Sequence, residues 1–115
     1  MPETQLTRDA DTLLCLMYKQ YKESRNSGIS KRNAKHLGSC DDIHSNLPLS
    51  WSVSDVFETC CELSRCDFLV CTFADDTVYD SWLSDAGIIY MESRFKNNLN
   101  SLLEYITKII GCIPL

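Results

Sequence analysis

The residues best equipped for chemistry in this chain are seven cysteines and two histidines. His36, Cys40 and His44 recur at intervals of four, which on an unbroken helix would put three nitrogen and sulfur donors on one face. Gly38 and Ser39 interrupt such a helix, and no C-x2-C pair supplies the rigid half of a zinc site. The expectation is no metal and no cofactor. A cysteine nucleophile needs a positioned base, yet both histidines fall in one polar segment. Among the four glycines there is no phosphate-cradling loop, and neither G-x-S-x-G nor H-E-x-x-H occurs. No catalytic residues are expected, and the chain reads as a non-enzymatic binding module.

The thiols have a plainer use. Their number is odd, the polar start MPETQLTRDADT carries no export signal, and most cysteines sit inside apolar patterns. Cys15, Cys60, Cys61 and Cys71 stand where a core valine or alanine would serve, as free cysteine often does. A cytoplasmic protein is expected. The stretch from Leu102 to Leu115 is interrupted by Glu104 and Lys108, so membrane association is not expected.

Charge is the stronger signal. The net value of -5 hides a division along the chain. From Leu16 to His36, Lys19, Lys22, Arg25, Lys31, Arg32 and Lys35 face one acid, Glu23. From Leu37 to Glu92 eleven acids face Arg65 alone. The first set is a candidate basic surface. Within the second, Asp55, Glu58, Glu62, Asp75 and Asp76 form a candidate acidic interaction surface.

Helices and a hairpin must carry these groups. Ala10, Leu13, Leu14, Met17 and Tyr21 share one helical face, predicting a first helix from Asp9 or Asp11 to Ser24, stopped by Asn26-Ser27-Gly28. Ile29 is expected to make an isolated strand contact. Ser30 caps a second helix, Lys31 to Leu37, closed by Gly38. Ser39 to Ser50 reads as a long turn with Leu47 and Leu49 tucked inward. A third helix opens at Ser52 or Ser54. Its buried face is expected from Val53, Val56, Phe57, Cys60, Cys61 and Leu63, with Asp55, Glu58, Thr59, Glu62 and Arg65 in water. Phe68 to Phe73 and Thr77 to Trp82 then read as strands around an Asp75-Asp76 turn. Ser84 caps a fourth helix, bent or broken near Lys96-Asn97-Asn98 and reaching Gly111.

That order, with VYDSWLSDAGIIYMESRF from Val78 to Phe95, resembles small prokaryotic or phage winged-helix proteins of the MarR-like, PadR-like and YjcQ-like groups. The resemblance implies an α+β winged helix-turn-helix: a three-helix core, a β-hairpin wing and a long C-terminal helix. It also implies that Leu83 anchors the wing, Ser84 caps the next helix and Gly87 permits close packing on the first helix. Residues 1–95 would form the winged helix and 96–115 a dimerisation helix. Leu99, Leu102, Leu103, Ile106, Ile109, Ile110 and Ile113 mark a homodimer seam.

Winged helices that read DNA put the third helix in the major groove, where duplex DNA carries one charge per roughly 1.7 Å of axis. Here that face is acidic. The expectation is a regulatory module binding another protein through the third helix and wing, such as an inhibitor or nucleic-acid mimic from a phage or mobile element. The alternative is a DNA-binding transcriptional regulator working through the basic second helix.

Overall fold

The computed structural model describes residues 5–96 and 98–111. It is an α+β fold of six helices and one antiparallel hairpin, with a helix at its C-terminal end. The helices are α1 (Arg8–Asn26), α2 (Lys31–Lys35), α3 (Cys40–Asn46), α4 (Val53–Arg65), α5 (Asp85–Phe95) and α6 (Leu99–Gly111). Between α4 and α5 lie β1 (Leu69–Ala74) and β2 (Thr77–Leu83).

The centre of the molecule is α1. It begins at Arg8, ahead of the expected Asp9 or Asp11, because Thr7 is the N-cap; the Thr7 hydroxyl accepts from Ala10 N at 3.2 Å. Ala10, Thr12, Leu13, Leu14, Cys15, Met17, Tyr18 and Tyr21 are all buried, an arc wide enough to meet α2, α4, α5 and α6 at once. Gly28, at φ 89, turns the chain after Ser27 in a conformation that side chains disfavour.

The expected long turn at 39–50 holds a helix, α3. Ser39 accepts from Asp42 N at 3.1 Å while Asp42 accepts from Ser39 N at 3.0 Å, a reciprocal box built on aspartate in place of glutamate. Cys40 and Ile43, one turn apart, supply its buried face. The isolated strand contact also moves. Ile29 is 43% exposed, and the bridge forms instead between His36 and Trp82 on β2. Accordingly α2 ends at Lys35, and Leu37 N donates to Ser81 O at 2.9 Å.

Asp75 and Asp76 both take positive φ, 52 and 59, as a two-residue hairpin turn requires. Thr72 pairs with Asp80 but Phe73 with Val78, leaving Tyr79 as an extra residue in β2. The bulge reverses the alternation, so Val78, Ser81 and Leu83 all point into the core. Ser84 caps α5, accepting from Gly87 N at 2.9 Å and donating to Asp67 O at 2.6 Å. A Cβ on Gly87 would stand 2.6 Å from Phe68 O, so this glycine seats α5 on the start of the hairpin rather than on α1. Lys96, at φ 51, ends α5, and α6 folds back onto α1.

Candidate functional site

Helical rotation divides the residues of α4 among three directions. Val56, Thr59, Cys60 and Leu63 enter the core. Thr59 is thus buried, contrary to its expected exposure, and its hydroxyl donates to Asp55 O at 2.7 Å. Val53, expected inside, is 40% exposed at the first turn, and Phe57 and Cys61 are half-buried. Phe57 meets Phe73 of β1 edge-on, with ring centroids 6.4 Å apart, and so ties α4 to the hairpin. Phe73 remains 51% exposed.

The five candidate acids do not behave alike. Asp55, Glu58, Asp75 and Asp76 are exposed, and none forms an ion pair among the described residues. Glu62 is engaged at the start of α1: its carboxylate accepts from Thr7 N at 3.0 Å and from the Thr7 hydroxyl at 2.7 Å. It anchors α4 to α1, and the four exposed carboxylates lie on α4 and in the hairpin turn, the two elements that the Phe57–Phe73 contact joins.

The six candidate bases do not converge on one surface. Lys19 pairs with Glu23 at 3.1 Å and lines a depression between α1 and α3. Arg25 donates to Ile29 O at 3.1 Å. Lys22 is half-buried on the same stretch of α1. Lys31, Arg32 and Lys35 line a different groove, of about 570 Å³, whose floor is Val70 and Trp82. Two hairpin-side acids come to meet them. Lys35 Nζ lies 2.5 Å from Asp85, and His36 Nε2 lies 2.6 Å from Asp80. Lys35, through its hydrogen bond and its charge, holds the Asp85 carboxyl below the usual range. The division of charge along the chain is therefore partly cancelled in space.

His36, Cys40 and His44 are directed to separate partners. His36 faces Asp80, the Cys40 thiol lies 3.7 Å from Val53 O, and His44 Nε2 lies 2.8 Å from Trp51 O. The described residues contain no group of side chains that could hold a metal ion. Burial pushes the Cys15 thiol up to about 12 and raises that of Cys60 as well, which keeps both protonated and unreactive.

One polar constellation has no signal in the sequence. Asp11, within the first turn of α1, receives both Arg94 of α5 and the Tyr105 hydroxyl of α6, the latter at 2.5 Å. Burial raises the Asp11 carboxyl, but the hydrogen bonds from Arg94 and Tyr105 outweigh it and hold the group below its ordinary value. The Arg94 guanidinium also lies over the Tyr105 ring, 4.5 Å from its centroid. These partners are more than 80 residues apart in the chain, beyond the reach of any local pattern.

The stripe on α6 divides as well. Leu102 and Ile106 are buried within the chain's own core, whereas Leu99, Leu103, Ile109 and Ile110 are half-buried. Ile113 lies outside the described residues. No described helix is long and apolar enough to cross a membrane.

No protein-family model matches the chain, and no curated protein or solved structure matches it.

Proposed function

We propose that the chain is a non-enzymatic winged-helix module that binds a basic protein segment on the face formed by α4 and the wing tip. The bridge from His36 to β2, followed by two helices and a hairpin, supports the winged-helix reading. The observation that carries the function is the Phe57–Phe73 pair, partly open to solvent, on the same helix and hairpin that carry the exposed Asp55, Glu58, Asp75 and Asp76. Protein interfaces have this composition, with aromatics at the centre and polar groups around them. The same carboxylates would repel phosphates, which disfavours a duplex on α4. An inhibitor or nucleic-acid mimic of a phage or mobile element fits such a surface. We place it in the cytoplasm, where the six free thiols among the described residues would stay reduced.

A labelled peptide alternating lysine and leucine serves as the probe. It is expected to bind the parent in low salt and to lose at least about tenfold in affinity to a Glu58→Lys/Asp75→Lys/Asp76→Lys variant, since close charge pairs contribute of the order of 1.5 kcal/mol or more. Equal binding by both proteins would sink the proposal.

Self-association through α6 is the second part of the proposal, carried by the half-buried Leu99, Leu103, Ile109 and Ile110. Leu103→Glu, which spares the buried Leu102 and Ile106, tests it. The parent should sediment as a dimer and the variant as a monomer; identical sedimentation would remove this part.

A further inference from the structure

The groove between α2 and the outer face of the hairpin is chemically unlike the acidic face. Register places Val70 opposite Trp82, side by side on the face of the ribbon turned away from Leu69, Cys71, Ser81 and Leu83. Val70 is 55% exposed and Trp82 half-buried, so an apolar and aromatic floor is open to solvent. The α2 helix forms one wall. Of its three cations, Lys35 is neutralised by Asp85, while Lys31 and Arg32 are exposed and form no ion pair among the described residues. The two nearby acids, Asp80 and Asp85, are both held by partners. The groove thus combines the Trp82 ring, which the His36 ring approaches to 5.2 Å between centroids, with two exposed cations, of which Lys31 also acts on Asp85, in a volume of about 570 Å³ that falls within the size of small-ligand sites.

We propose that this groove binds a nucleotide unit, with its base against Trp82 and Val70 and its phosphate between Lys31 and Arg32. Any base offers a ring face for stacking, and the phosphate matches the charge of the wall. Bases inside a duplex are stacked on one another and cannot reach Trp82, so the source is a free nucleotide or an unpaired strand, not double-stranded DNA. This site does not depend on the acidic face, and the two succeed or fail separately.

The test uses the full chain carrying Trp51→Phe, which leaves Trp82 as the remaining tryptophan. Thymidine monophosphate, a twelve-residue oligothymidylate and a twelve-base-pair duplex are titrated in turn at low salt. Either of the first two should quench Trp82 fluorescence. Quenching by the mononucleotide identifies a free nucleotide as sufficient, and quenching by the oligomer alone identifies an unpaired strand. For the oligomer, two neutralised phosphates predict a slope near -1.4 in log affinity against log salt, from about 0.7 per contact on single strands. Lys31→Gln/Arg32→Gln, both on an exposed helix face, should weaken binding at least tenfold. Asp75→Asn/Asp76→Asn should leave it intact. Absence of quenching by both single-stranded probes, a duplex that binds as tightly as they do, or an unchanged Lys31→Gln/Arg32→Gln variant would each overturn the assignment.

Discussion

The two sides of the hairpin carry acids in different states. On the α2 side, Asp80 and Asp85 are met by His36 and Lys35, and the open surface left over is aromatic and positive. On the α4 side and at the tip, Asp55, Glu58, Asp75 and Asp76 meet no cation among the described residues, and the open surface is aromatic and negative. A count of charge along the chain treats these acids as one population. Folding sorts them: Asp85 and Asp80 meet Lys35 and His36, and those displayed by the hairpin tip and α4 meet no cation among the described residues. One narrow ribbon therefore separates two surfaces suited to ligands of opposite charge.

The largest expected effect comes from breaking the frame that both sides share. Gly87→Ala sets a Cβ against Phe68 O, and overpacking of this kind costs up to about 3 kcal/mol. Chemical denaturation should show that loss together with loss of binding on both surfaces. Arg94→Met should cost roughly 2 kcal/mol. It leaves Asp11 with the Tyr105 hydroxyl but no cation, and solvent reaches 26% of the Arg94 side chain and weakens the pair relative to a fully buried one. This change acts through α1, α5 and α6, so peptide binding per folded molecule should remain as in the parent.

Acid affects the same pair. The Asp11 carboxyl is held below its ordinary 3.8 in the folded chain, so its contribution is fully present above the unfolded value and is lost as pH falls through the folded one. Urea midpoints followed from pH 6 to pH 2 should fall less steeply for Asp11→Asn than for the parent over the acid limb. Parallel curves would show that Asp11 does not couple to folding.

Ser81→Ala separates the two sides more selectively. Ser81 is fully buried and its hydroxyl donates to Gly38 O at 2.7 Å, so the variant leaves that carbonyl unpaired at a cost of about 1–2 kcal/mol. Amide exchange should accelerate at Leu37 and Gly38 before it does in α4. The smallest effect is expected at the tip. Asp76→Gly relieves a side chain held at φ 59 and should stabilise by up to about 1 kcal/mol in thermal unfolding, while removing one carboxylate from the acidic side.

Much of the local structure can be read from the sequence, because caps and turns act over three or four residues. Ser30, Ser52 and Ser84 cap helices where their types suggest, and Asp75-Asp76 makes the turn. The box at Ser39 and Asp42 follows the same rule with a less familiar acid, and its helix was legible in retrospect from Cys40 and Ile43. What the sequence hides is long-range. Glu62 lies on a helix face that predicts exposure, yet Thr7 claims it from 55 residues away. Asp80 and Asp85 count toward an acidic field until α2 is laid across the ribbon. The stripe on α6 predicts burial but not which partner provides it, and Leu102 and Ile106 find theirs within the chain.

The central claim is that the exposed carboxylates and the Phe57–Phe73 contact form one binding face. Its most direct test is amide chemical-shift mapping of the isotope-labelled full chain titrated with the lysine–leucine peptide. Shifts should cluster at Val53, Phe57, Glu58, Phe73, Asp75 and Asp76, and should vanish in Glu58→Lys/Phe73→Ser while that variant retains the parent's remaining spectrum. Shifts centred on α1 or α6, or an undiminished response from the variant, would contradict it.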